Sequence, residues 1–178
     1  MKIEMEEIDL FVKKFNQLLD LYRDNGVDMG KSLERVAQTK DIQGIEYFLM
    51  GYSFDRVSGT QFFSPVKPLN LRIPNCFTWI ASYPNTNLEY VLDDDTKEVI
   101  LFDAEQQSSE WLCSVDYRAF FRSLSIIVDV KIEMIRKKVF ELDESILLVS
   151  YNECMKINGF NPRYSLFYEH ILGLELSN

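Results

Sequence analysis

The sequence predicts an α+β fold with N-terminal helices, a central, mainly antiparallel sheet and C-terminal helices packed on it. Apolar residues recur at three- and four-residue spacing over residues 3–22 and again in the last third of the chain, which is typical of helices with one buried face. Between these regions, apolar and polar residues alternate over residues 88–92. The acidic turn DDDT and a second β-rich run, VILF, follow, so the two runs predict a hairpin.

Three helices are predicted before the sheet. The first covers residues 3–22, and Gly26 follows it with the conformational freedom that a helix end needs. A short second helix is predicted over residues 32–37, with Ser32 as its N-cap. A third is predicted over residues 41–50, where the apolar residues form one stripe.

The central sheet is predicted from short apolar runs separated by turn residues. Residues 59–66 and 77–81 are predicted as strands, whereas residues 69–73 fit either a short strand or one helical turn. A turn is predicted at residues 83–87 because it contains proline and two asparagines. After the hairpin, the polar residues that follow Asp103 predict a loop leading into the next helix.

The last third of the chain is predicted to be helical. Asp116 is predicted to be the N-cap of a helix whose apolar side begins with aromatic residues. Residues 126–130 fit a strand or a continuation of this helix, and we prefer the helix. A further helix is predicted over residues 145–158 and is ended by Gly159. Asn161-Pro162 then starts a final helix.

Length and composition favour one packed domain over residues 1–178. The chain has 178 residues, 47% of them hydrophobic, with 13 Phe and 9 Tyr. A chain of this length can bury on the order of 70% of its unfolded surface. The formal net charge of −9 opposes the phosphate backbone, so nucleic-acid binding is disfavoured. The same charge favours basic protein partners through electrostatic steering, and it also serves solubility.

The cysteines and the first residues predict a cytoplasmic protein. Cys76, Cys113 and Cys154 are odd in number and widely spaced, which indicates buried free thiols in a reducing compartment. The sequence MKIEMEEIDLF has acidic residues where a signal peptide has positive charge. No apolar run approaches membrane-spanning length, so we expect no membrane partner.

The sequence contains no assembled catalytic, cofactor or metal set, and we expect none. The only histidine, His170, lies in a predicted amphipathic helix, where a surface or half-buried position is the expectation. A Cys113–His170 dyad would need the two residues to meet in space. The acidic turn fails the EF-hand spacing, because Val99 stands where the loop requires glycine. Phosphate-binding glycine motifs are absent.

The acidic residues around the hairpin form the candidate binding site. We expect them to fringe one end and one face of the hairpin, close to three aromatic residues that could anchor a basic protein partner. The ordinary alternative is a charged, solvated edge that prevents sheet-to-sheet aggregation. The candidate partner-binding residues are Glu89, Asp93, Asp94, Asp95, Asp103, Glu105, Glu110, Trp79, Tyr83 and Trp111.

The order of elements resembles the SUKH superfamily, which includes bacterial immunity proteins and fungal cell-wall regulators. Four segments are similar to the family pattern over residues 30–125: IEYFLMGYS, GTQFFSPVKPLNL, NCFTWIASYPNTNLEYVLDDDTKEVILFD and SSEWLCSVDYRAFFRSL. Residues 126–178 would form a helical C-terminal extension. The resemblance implies an α+β domain that neutralises a toxin, often a nuclease or deaminase, by covering its active surface.

These observations lead to three function hypotheses. The first is a non-enzymatic, acidic protein-binding module, an immunity protein that binds a basic toxin domain. The second is an intracellular regulatory or scaffold domain whose partner is another protein of the same cell. The third is a small metal-dependent hydrolase that uses the acidic cluster, which a metal-induced rise in thermal stability would reveal.

Overall fold

The computed structural model of the chain describes residues 3–36, 43–54, 57–140 and 142–175. The helices are α1 (Ile3–Asp24), α2 (Ile45–Gly51), α3 (Tyr117–Lys137), α4 (Glu144–Ile157) and α5 (Ser165–Leu172), with a 3₁₀ turn at Pro162–Tyr164. The strands are β1 (Glu34–Arg35), β2 (Tyr52–Ser53), β3 (Phe77–Ser82), β4 (Leu88–Asp93), β5 (Val99–Asp103) and β6 (Ser108–Ser114). The predicted α+β fold is confirmed.

The central sheet is an antiparallel meander in the order β3-β4-β5-β6. In the predicted hairpin, Tyr90 lies opposite Leu101 and Leu92 lies opposite Val99. Neighbouring strands join at alternating ends of the sheet, so the β3–β4 and β5–β6 turns share one end and the β4–β5 turn lies at the other. β1 and β2 form a separate two-stranded ladder.

The main core fills the space between one face of the sheet and the helices. Aromatic side chains from different elements meet there: the ring of Phe48 in α2 lies 4.8 Å from that of Phe121 in α3, and Tyr90 in β4 lies 5.1 Å from Phe120. Phe11 of α1 contacts the same group of rings. Large aromatic side chains dominate burial energetics, so this cluster stabilises the helix–sheet packing.

The other face of the sheet carries a smaller apolar cluster, and we call this face the outer face. Val91, Ile100 and Phe102 are buried there and contact Ile73 from the segment before β3. The main-chain oxygen of Arg72 in that segment accepts a hydrogen bond of 3.0 Å from the Gln107 side chain. The segment before β3 therefore lies against the outer face.

One buried side chain, Asn158, links the C-terminal helices to the sheet. Its Oδ1 accepts from the Ser114 hydroxyl at 2.7 Å and from the Val115 amide at 3.0 Å. Its Nδ2 donates to the Tyr168 hydroxyl at 2.9 Å and to the main-chain oxygen of Cys154 at 2.9 Å. A buried amide with its hydrogen bonds made in this way fixes the relative positions of β6, α4 and α5.

Helix starts and stops in this part of the chain follow the prediction. The Asp116 carboxylate accepts from the amide of Ala119 at 2.8 Å and caps α3, which continues through residues 126–130. Gly159 follows α4 with a φ of 66°. The Asn161 side chain accepts from the Arg163 amide and starts the 3₁₀ turn that precedes α5.

The predicted helix at residues 32–37 is wrong for its described part. The side chain of Asn16 accepts a hydrogen bond from the Leu33 amide at 2.7 Å and donates to the Leu33 carbonyl at 2.9 Å. These bonds occupy the groups that a helix would use, and residues 34–35 pair with β2. Ala37 and the start of the predicted helix at 41–50 lie outside the described residues; α2 begins at Ile45.

Two other segments also differ from the prediction. Residues 59–66 form a compact bend in place of a strand, because the Thr60 amide donates to the Phe63 carbonyl at 2.9 Å, and only Ser64 bridges to β3. The predicted polar loop after β5 is limited to a turn at residues 104–107, and residues 108–114 form the strand β6. Two register shifts between β5 and β6 break the alternation that would have revealed it.

Candidate functional site

The seven candidate acidic residues do not lie together at one end of the hairpin, so that part of the prediction is wrong. Asp93, Asp94 and Asp95 lie at the β4–β5 turn. Glu89 and Asp103 lie at the opposite end of these strands, next to Glu105 in the β5–β6 turn. Since a strand rises roughly 3.3 Å per residue, the two acidic groups are separated by about 13 Å or more.

Asp93 and Asp103 hold the backbone of the two turns. Asp93 Oδ1 accepts from the amides of Asp95 at 2.8 Å and Thr96 at 3.1 Å. Asp103 Oδ1 accepts from two amides of its own turn, both at 2.8 Å. At Asp93, the hydrogen bonds from the amides of Thr96 and Asp95 lower the pKa of the carboxyl. Both aspartates therefore stabilise their own turns by accepting hydrogen bonds from nearby amides, as aspartate commonly does.

Three of the other candidate acids are exposed: Asp95 and Glu105 in the turns and Glu110 in β6. Asp94 is half-buried and accepts from the Thr78 hydroxyl at 3.0 Å. The Glu105 carboxylate accepts a hydrogen bond from the Asn87 side chain, which links the β3–β4 and β5–β6 turns. Glu105 is thus an exposed charge whose position is fixed by a neighbouring turn.

Glu89 differs from the other acids because it is buried, with 3% of its surface exposed. Its Oε2 accepts from the Trp79 indole at 2.8 Å and from the Ser82 hydroxyl at 2.6 Å. Burial raises the pKa of the Glu89 carboxyl, and the two hydrogen bonds oppose that rise. No cationic side chain pairs with Glu89 within the described residues.

Glu89 and Glu105 both line a groove of about 600 Å³ at this end of the sheet. One wall is formed by the segment before β3, residues 68–72, in which Leu69 is fully exposed. Asn87 and Thr86 of the β3–β4 turn complete the opposite side. We call this concavity the acidic groove. It combines a buried carboxylate, an exposed carboxylate, an apolar rim and the exposed side chain of Arg72.

The three candidate aromatic residues are also divided between two places. Trp79 is buried beside Glu89, and the Lys67 ammonium lies 5.8 Å from its ring centre. Tyr83 and Trp111 instead meet His170 of α5: the Tyr83 hydroxyl lies 3.3 Å from Nε2, and the Trp111 and His170 ring centres are 4.6 Å apart. Only Trp79 therefore supports the acidic groove directly.

The contact of His170 with two candidate aromatics had no signal in the sequence, because the three residues come from distant segments. His170 is exposed, as expected from the helical pattern. Cys113 is buried, and burial raises its pKa far above the usual thiol range, so a thiolate nucleophile is disfavoured there. Cys154 is buried as expected, whereas Cys76 is exposed and the prediction for it is wrong.

In the part of the chain that the structure describes, no group of three or more His, Cys, Asp or Glu side chains is placed to hold a metal ion. None of the described helices has the length and apolarity to cross a membrane. The chain matches no protein-family model, no curated protein and no solved structure in the three comparisons made.

Proposed function

We propose that this chain is a non-enzymatic, protein-binding module whose acidic groove receives a basic side chain of a protein partner. The resemblance to the SUKH superfamily suggests an immunity protein, and its partner would be a nuclease- or deaminase-type toxin domain. The cytoplasm is the compartment in which such a protein would act. The proposal is supported mainly by Glu89, a buried carboxylate that forms no ion pair with any described residue; Arg72 of the groove is exposed.

Burial of the Glu89 carboxylate favours pairing with a cation. A carboxylate removed from water is costly unless it is paired, and two neutral donors compensate only part of that cost. A guanidinium or ammonium group entering the groove would supply the missing charge. Exposed Glu105 would contact the same group from the side, and exposed Leu69 would cover its aliphatic stem.

The distribution of charge supports a basic partner more broadly. The chain has a formal net charge of −9, and exposed acids lie at both ends of the hairpin. Proteins that hold nucleic acid have basic surfaces. An acidic inhibitor would attract such a surface at long range and form complementary charge contacts with it at short range. The β4–β5 turn, with Asp94 and Asp95, would act in this steering more than in the groove itself.

The proposal is tested by affinity capture followed by a neutralisation assay. The chain is used as bait in a lysate of its host, beside Glu105→Lys and a control, Glu153→Lys, which reverses an exposed charge on α4. We expect wild type and Glu153→Lys to capture a basic protein and to protect cells that express it. Glu105→Lys should do neither.

Other outcomes would separate the competing functions. Capture of a host protein that is not toxic would favour a regulatory or scaffold domain. Capture that is equal for Glu105→Lys and Glu153→Lys would exclude the acidic groove from the interface.

A further inference from the structure

A second concavity lies on the opposite side of the sheet from the acidic groove and has no part in the proposed function. It has a volume of about 730 Å³, within the range typical of small-molecule sites. Its walls come from the bend at residues 61–62, the C-terminal half of α3, the start of α4 and the end of α5. We call it the helical cleft.

The helical cleft contains one half-buried cation, Lys131 of α3. Its ammonium group makes no hydrogen bond or ion pair with any of the described residues. Burial lowers the pKa of Lys131, which reflects the cost of holding its charge there. By comparison, Lys14 of the neighbouring α1 pairs with Asp129 and also reaches the Ser125 carbonyl.

The rest of the cleft separates into an apolar wall and a polar rim. Leu142, Leu147 and Leu172 are buried side chains of the wall. The carboxylates of Glu144 and Glu175 belong to exposed residues, so water screens their charges. The cleft therefore has an apolar interior, a desolvated positive charge and a weakly negative rim.

Hydrogen-bonding groups in the lining of the same cleft could orient an acceptor oxygen. The Tyr83 hydroxyl and His170 Nε2 lie 3.3 Å apart and both residues line the cleft. A compound with several negative charges would be opposed by Glu144 and Glu175, whereas one carboxylate could pair with Lys131. An alkyl chain of the same compound would contact the leucines.

We propose that the helical cleft binds an amphipathic monocarboxylate, a compound with one carboxylate and an apolar chain, with Lys131 as the counterion. The binding would be non-covalent and independent of the acidic groove. Lys131 supplies the charge, Tyr83 and His170 supply polar contacts, and the apolar wall receives the chain.

The experiment uses the full chain, labelled with ¹⁵N, and octanoate, 1-octanol and octanedioate as probes. Amide shifts locate each probe, and titrations give its Kd. We expect octanoate to shift amides of residues that line the cleft and to bind more tightly than octanol or octanedioate. In Lys131→Met, the preference for octanoate over octanol should fall about tenfold, since a charge-assisted contact contributes about 1.5 kcal/mol or more. Lys156→Gln, an exposed lysine of α4, should leave the preference unchanged.

Two results would overturn the proposal. Tighter binding of octanol than of octanoate by the wild-type chain would show that the charge is not recognised, and this result does not depend on the folding of any variant. An unchanged preference in Lys131→Met, with a native spectrum, would show that Lys131 is not the counterion.

Discussion

Substitution of Glu89 separates its role in the fold from its proposed role in binding. Glu89→Ala removes the acceptor of two buried hydrogen bonds, of 2.8 Å from Trp79 and 2.6 Å from Ser82. An orphaned donor costs about 1–3 kcal/mol, so two would cost about 2–6 kcal/mol. Because the substitution also removes a buried carboxylate, we expect a net loss of about 2–4 kcal/mol in the free energy of unfolding.

Glu89→Gln keeps an acceptor oxygen for both donors and removes the charge. We therefore expect its unfolding free energy at pH 7 to lie within about 1 kcal/mol of wild type. Burial raises the folded-state pKa of Glu89, so wild type is favoured at acidic pH, where the carboxyl is protonated. Wild type then loses stability relative to Glu89→Gln as the pH rises from the unfolded pKa through the folded pKa.

The assay is urea denaturation followed by circular dichroism at pH 4 and pH 7. Equal stability of the alanine and glutamine variants would refute the importance of the two hydrogen bonds. A difference between glutamine and wild type that does not change with pH would refute the desolvation of Glu89. Loss of partner binding by a stable Glu89→Gln would assign the charge to recognition.

Three further predictions concern the fold. Asn158→Ala should lower the unfolding free energy by about 3–5 kcal/mol, because it orphans buried partners in β6 and α5, and a calorimetric loss below about 1 kcal/mol would contradict that network. Asp116→Ala should cost about 1 kcal/mol in urea denaturation through loss of the α3 N-cap, and an unchanged midpoint would contradict that role. A thiol reagent should label Cys76 alone in the native protein and all three cysteines in urea. Burial shields Cys113 and Cys154 in the fold and raises their pKa values, that of Cys154 to about 12 and that of Cys113 well above the usual thiol range. Labelling of either in the native protein would contradict their burial.

The elements that the sequence predicted correctly are those with strong local signals. The β4–β5 hairpin has alternation on both strands and a turn rich in aspartate, and the caps at Asp116 and Asn161 act within three residues. In such segments the hydrogen bonds that decide the structure join near neighbours. The local pattern and the tertiary structure therefore agree.

The errors at residues 32–37 and in β6 arose where distant residues decide the structure. Asn16 determines the extended conformation of Leu33 from another element, and the bulges of β6 depend on its pairing with β5. Periodicity within one segment cannot report such bonds.

Contacts between distant segments also determine the candidate site. The sequence identified acids near the hairpin, but the burial of Glu89 depends on donors from β3 and on the segment that lies over the outer face. The meeting of Tyr83, Trp111 and His170 depends on the docking of α5. The charge pattern therefore identified acidic residues near the hairpin, but it did not distinguish buried Glu89 from the turn residues Asp93 and Asp103.

Binding kinetics of the captured basic partner test the central claim most directly. Surface plasmon resonance would compare wild type, Glu105→Lys, the double variant Asp94→Lys/Asp95→Lys and the control Glu153→Lys at two salt concentrations. We expect Glu105→Lys to weaken Kd by more than about tenfold, mainly through faster dissociation, and the double variant mainly to slow association and reduce its salt dependence. Equal Kd values for Glu105→Lys and Glu153→Lys would contradict the assignment of the acidic groove as the binding site.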